Sequence, residues 1–132
     1  MDEVATLLLE AIRLAEDDKE YAGIEEYLLG SMLIDARAAA VAPTIVGPED
    51  FEIPTHQVIF DCMAEMVQTN EPIDMVTLGQ RLESKRQLNR VGGYQYIAHL
   101  VNSAYTGTDA TAAAWVVWTR AICRRVRDPR CQ

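Results

Sequence analysis

A chain of 132 residues, 49% hydrophobic, is long enough for one domain with a real core and too apolar for wholesale disorder. Its net charge of −8, from 12 basic and 20 acidic residues, argues against a general nucleic-acid coat protein, which should be basic. The total hides an asymmetry. Residues 1–66 hold 15 acids and 3 bases, and residues 67–132 hold 5 acids and 9 bases, so the halves either serve different partners or attract each other.

Met1-Asp2-Glu3 lacks the basic start of a signal peptide. The longest apolar run, Ala112–Trp118, is seven residues, far short of the ~20 a membrane helix needs. Three cysteines, Cys62, Cys123 and Cys131, form no metal-like pairs, and a reduced, cytosolic protein is the simplest reading.

In chain order, the apolar period predicts helices with short punctuation. Val4, Leu7, Leu8, Ala11, Ile12 and Ala15 recur every three or four residues, giving an amphipathic helix over 2–19, widened by Leu9 and Leu14. Gly23 is expected to separate it from a broadly apolar helix over 24–35. There, Gly30 points to a neighbouring backbone passing close by. The acids Glu16, Asp17, Asp18 and Glu20 then fall near a helix C-terminus, where negative charge is unfavourable. Ala36–Ala42 should form a short or kinked element limited by Pro43, and Gly47-Pro48 a turn. A helix from Thr55 to Gln68 presents Val58, Ile59, Cys62, Met63, Met66 and Val67. Asp74 caps a helix to about Ser84, with Val76, Leu78 and Leu82 inward. Gly92-Gly93 permits a turn forbidden to residues with a Cβ, and a helix carrying Tyr94, Ile97, Leu100 and Val101 follows. Thr106-Gly107-Thr108-Asp109 caps the last helix, which runs to about Arg127. The fold class is all-α, a compact helical bundle of six to seven helices. Residues 1–22 form an added N-terminal helix, 23–107 a head and 108–132 a C-terminal helix.

Catalytic constellations are missing from this pattern. Neither lysine, Lys19 or Lys85, follows a glycine, which excludes a Walker-type phosphate loop. His56 and His99 lie far apart without a metal-ligand spacing, and no Gly-x-Ser-x-Gly elbow is present. No cofactor or metal is expected, and the chain is not read as an enzyme. On the last helix, Arg120, Arg124 and Arg127 share one face, with Arg125 and Arg130 nearby. Trp115, Trp118, Ile122 and Val126 share another. Basic and aromatic residues together suggest DNA, but base stacking needs exposed aromatics, and Trp and Arg are the residues that dominate protein interfaces.

Four pieces, in order, resemble the N-terminal domain of the DnaB-type replicative helicases. They are Glu26-Tyr27-Leu28-Leu29-Gly30-Ser31-Met32-Leu33-Ile34-Asp35; Pro48-Glu49-Asp50-Phe51 with His56-Gln57-Val58-Ile59-Phe60; Glu71-Pro72-Ile73-Asp74-Met75-Val76-Thr77-Leu78; and Leu88 with Val91-Gly92-Gly93-Tyr94-Gln95-Tyr96-Ile97. The signature residues Gly30, Asp50, Phe51, His56, Phe60, Asp74, Gly92 and Gly93 read as scaffold. The resemblance implies a helical head followed by one arm of a helical hairpin. Hairpins pair heads into dimers, dimers form a ring collar, and the collar docks primase or a loader protein, in a bacterial, phage or plasmid setting. The family's ATPase motor lies in a separate C-terminal domain, and the sequence reaches Gln132 before a second arm. An uncovered stripe of Trp115, Trp118, Ile122 and Val126 should find cover, since burying a large apolar side chain is worth ~1.5–3 kcal/mol. The expected cover is the first helix, through Leu7, Leu8, Ile12 and Ala15, with its acids meeting Arg120 and Arg124, within one chain or across a dimer. A small DNA-binding or helicase-regulating protein using the arginines is the alternative.

Overall fold

The computed structural model describes residues 3–104 and 109–127, without the side chains of Val4, Leu7 and Leu8. Seven α-helices pack around one core: α1 (Glu3–Glu16), α2 (Asp18–Ile34), α3 (Ala36–Ile45), α4 (Pro54–Gln68), α5 (Met75–Ser84), α6 (Gly93–Ser103) and α7 (Ala110–Arg127), with a 3-10 turn at Pro48–Asp50. No strand occurs among the described residues. The central helix is α2, which packs against α1, α3, α4, α6 and α7.

The first two helices divide at Asp17, not at Gly23. Asp17 adopts an extended backbone, φ −92° and ψ 105°. Its carboxylate accepts the amides of Lys19 at 3.0 Å and Glu20 at 3.1 Å. An aspartate that satisfies free amides starts a helix more effectively than a glycine with open space around it stops one. Gly23 lies within α2, and a Cβ there would meet nothing within 4 Å. The acidic run is thereby reassigned. Asp18 and Glu20 occupy the first turn of α2, where the helix dipole favours them.

Asp35 repeats the device. Its amide closes α2 on Ser31 at 2.9 Å and its carboxylate caps α3 through the amide of Arg37 at 2.9 Å. Pro43 sits in the last turn of α3, which is ten residues long. The alanine run serves close approach, with Ala38, Ala39 and Ala42 buried. Gly30 shows the same requirement more sharply: a Cβ there would lie 1.9 Å from the carbonyl oxygen of Leu100. Only a glycine lets α2 and α6 cross at this depth.

Phe51, Ile59 and Phe60 are buried, the two phenyl rings 4.8 Å apart. Asp74 accepts the amide of Thr77 at 2.8 Å, and the Thr77 hydroxyl accepts the amide of Asp74 at 2.9 Å, a reciprocal cap. Leu78 and Leu82 point inward, but Val76 is 58% exposed. Two residues before Leu78 is more than half a turn away on a helix, so Val76 cannot share its face. Gly92 and Gly93 take φ +105° and +71°. Two helices end in a left-handed residue. Asn70 follows α4 at φ 57° and Arg86 follows α5 at φ 61°, each in a paired turn of backbone bonds that closes the last carbonyls. Asp109 caps α7, accepting from Thr111 at 2.9 Å. The expected turn residues Thr106, Gly107 and Thr108 lie outside the described residues, as do Arg130 and Cys131.

Candidate interaction site on the last helix

Small residues turn α7 into the head: Ala113, Ala114, Val116, Val117 and Ala121 are buried. The flanks on either side differ in kind.

One flank is the arginine cluster, and it faces the protein's own acids. Arg120 donates from Nη1 to the carbonyl of Ala15 at 2.8 Å and from Nη2 to Glu52 at 2.9 Å. Its Nε reaches Glu52 at 3.2 Å. Asp18 stands 2.8 Å from Nη2, and the guanidinium lies 4.6 Å from the centre of the Tyr21 ring. Burial works against the Arg120 charge, but Glu52 and Asp18 more than offset it and hold its pKa above the ordinary value. Arg124 donates to the carbonyls of Glu49 and Asp50, both at 3.4 Å. Arg125 pairs with Asp50 at 2.5 Å, and Arg127 lies 3.8 Å from Glu16. Basic second half and acidic first half therefore attract each other within one chain. Of the arginines that a DNA-binding reading would turn to phosphates, Arg120, Arg124 and Arg125 face carboxylates or carbonyls of the chain, and Arg127 is largely exposed.

The other flank is apolar. Trp115 is 47% and Trp118 39% exposed, their rings edge-on at 5.7 Å. Val126 is exposed and Ile122 half-buried. The four residues are uncharged, and Arg125, seven positions after Trp118 and therefore on the same side of the helix, borders them while paired with Asp50.

The first helix does pack on α7, within one chain. It does not cover the tryptophans, contrary to expectation. The contacts from Ala15 to Arg120 and Glu16 to Arg127 place α1 on the arginine side. At ~3.6 residues per turn, Trp115 and Trp118 point roughly the opposite way. Ala15 is buried, Ala11 and Leu14 pack at the core's edge, and Leu9 and Ile12 remain exposed. Leu8 lies outside the described side chains.

A second polar centre was missed by the sequence reading. Glu25 and His56 are both fully buried. The Glu25 carboxylate accepts from the Tyr21 hydroxyl, from the Glu52 amide at 2.7 Å, from the Ile53 amide at 3.4 Å and from His56 Nδ1 at 2.7 Å. His56 Nε2 faces the Tyr96 hydroxyl at 2.6 Å, and that hydroxyl also reaches Glu26 at 3.2 Å. Burial pushes the Glu25 carboxyl up, but His56, Tyr21 and the Glu52 amide outweigh it and hold the pKa below the usual range. Burial, then the Glu25 carboxylate, pushes Tyr21 up, and burial with Glu26 does the same for Tyr96. A carboxylate, an imidazole and a hydroxyl in line resemble an acid–base relay. With Glu25 and His56 sealed from solvent, they instead tie α2, α4 and α6 together. Three of the four sequence pieces meet here, through Glu26, His56 and Tyr96. The available signal was an acid, Glu25, inside the buried stripe Tyr21, Leu28, Met32.

Cys62 is buried, which pushes its thiol up to about 11, away from thiolate chemistry. Among the described residues, no group of three His, Cys, Asp or Glu side chains is placed to hold a metal ion. No described helix is long and apolar enough to cross a membrane.

Residues 18–118 match the family described as DnaB-like helicase N terminal domain. The chain is 32% identical over 102 residues to the replicative DNA helicase DnaB of Geobacillus stearothermophilus and 30% identical over 102 residues to the replicative DNA helicase DnaC of Bacillus subtilis. Each alignment covers 77% of this chain but 22% of the relative. The crystal structure of the N-terminal domain of DnaB helicase from Mycobacterium tuberculosis superposes with a TM-score of 0.76 at 31% identity, covering 80% of this chain and 77% of that one. All of α1 precedes the matched segment. With helical fold, signature residues and relatives in agreement, the chain belongs to the DnaB-like helicase N-terminal domain family.

Proposed function

We propose that this domain is a non-catalytic, self-associating module of the DNA replication machinery, pairing copies through the tryptophan flank of α7. The observation that carries this reading is the contrast on one helix: the charged flank is satisfied internally, while Trp115 and Trp118 stand open. In this reading the chain divides into an added N-terminal helix, a head and the C-terminal helix. Paired heads build a collar in the cytoplasm of a bacterial or phage system, and the collar docks primase, a helicase ring or a loader protein.

Sedimentation of the wild-type chain and of a Trp115→Ser/Trp118→Ser variant tests the first step. The wild type should associate in the micromolar range or tighter, and the variant should be monomeric with unchanged helicity. A wild type that stays monomeric at the highest soluble concentration overturns the reading. Capture of purified primase by the immobilised wild type, and its loss in the variant, tests the second.

A further inference from the structure

We infer that the connection between α5 and α6 is a docking surface for an acidic segment of a partner protein. It lies away from α7 and does not depend on the pairing proposed there.

Residues 85–92 read Lys-Arg-Gln-Leu-Asn-Arg-Val-Gly, three cations and no acid in a chain of net charge −8. Val91 is buried and Leu88 packs at the core's edge, which leaves Arg86, Asn89 and Arg90 facing solvent. Lys85 is exposed and reaches Glu65. The guanidinium groups of Arg86 and Arg90 take part in no ion pair or side-chain hydrogen bond among the described residues. The arginines of α7 are engaged within the fold; these two are available.

The backbone of Arg86 adds an independent observation. It occupies the left-handed position that closes α5, its amide on Glu83 at 2.9 Å and the next amide on Leu82 at 2.8 Å. Glycine or asparagine suits that position, and α4 uses Asn70 at the equivalent point. An arginine there is a local cost to the helix end, borne by a side chain that makes no ion pair or hydrogen bond among the described residues. A residue kept against its backbone preference points to a role for its side chain.

Tyr94 follows this connection in the first turn of α6. Its ring lies over Gly79, where a Cβ would come within 2.1 Å, and the residue remains 38% exposed. The two guanidinium forks of Arg86 and Arg90 match carboxylates in pairs. Nucleic acid fits less well. A long polyanion would meet the field of the remaining acidic chain beyond the patch, whereas a short acidic segment stays within a Debye length of the cations, about 10 Å at 0.1 M salt.

The test is fluorescence anisotropy of the full chain with a labelled peptide of about ten glutamates at about 50 mM salt, then at about 300 mM. Saturable binding is expected, weakened at least about tenfold by Arg86→Ala/Arg90→Ala and by the added salt. Arg86→Gly is the second arm. It should raise Tm by a few degrees, as relief of a left-handed arginine requires, and still weaken the peptide. Absence of peptide binding, equal binding by the variants, or tighter binding of an oligothymidylate of about twenty nucleotides overturns the inference.

Discussion

On α7, two flanks of one helix were solved in opposite ways. The arginine flank is polar but closed: Arg120 alone binds Ala15, Glu52 and Asp18 and covers Tyr21. Across the helix, the tryptophan flank is apolar but open. On α7, charge is therefore a poor guide to which flank is left open. A cluster of arginines can be a fold-holding device, and an uncharged stripe can be the contact surface.

Arg120→Ala should produce the largest effect that separates the flanks. It strips several bonds from a half-buried group and leaves the Ala15 carbonyl without its guanidinium donor, so a loss of about 1–3 kcal/mol in urea unfolding is expected. Self-association of the protein that remains folded should persist. If association fails while stability holds, the two flanks have been assigned the wrong way round.

Acidification probes the lock beneath both flanks. Because the Glu25 carboxyl is held below its unfolded value, its contribution is present above the unfolded carboxyl pKa, about 4.3, and is lost as pH falls through the folded value. Thermal melts should therefore show Tm dropping below about pH 4.5, and Glu25→Gln should flatten that drop while lowering Tm at neutral pH. An unchanged acid limb in the variant would place the acid sensitivity elsewhere.

Trp115→Ser/Trp118→Ser should lower the unfolding free energy of the monomer by about 1–3 kcal/mol, as expected for two half-buried aromatic side chains, while abolishing association. Smallest of all is Arg127→Ala, whose exposed ion pair with Glu16 should contribute at most about 0.5 kcal/mol by chemical denaturation. A larger loss would mean that α1 is held chiefly by its terminal charges rather than by Ala15 and its neighbours.

Much of this molecule can be read from its letters, and the exceptions share a cause. Gly30, Asp74 and Gly92-Gly93 declare themselves because each answers a local steric or capping demand. The helix break was misplaced because Gly23 is the more conspicuous breaker, while Asp17 acts through bonds to amides two and three residues on. Val76 was turned inward by its apolarity rather than its position. The internal use of the arginines depends on Glu52 and Asp50, nearly seventy residues or more away in sequence, and no local pattern announces such a pairing. Glu25 was invisible for the same reason: three of its four donors, Glu52, Ile53 and His56, lie 27, 28 and 31 residues on. The tryptophan stripe was legible as a stripe, but which side of α7 the first helix would take was decided by Arg120.

The two aspartate joints have a practical consequence. From Glu3 to Ile45 only Asp17 and Asp35 are non-helical, so three helices are connected with no slack at all. Proteases and inserted sequences both need exposed, extended chain. The first third of the domain offers exposed, extended chain only at the single residues Asp17 and Asp35, and a tag or guest loop placed elsewhere in it would have to break a helix. The stretches around 69–74 and 85–92 are the natural points of entry, which makes the cationic α5–α6 connection the accessible seam of an otherwise tightly jointed structure.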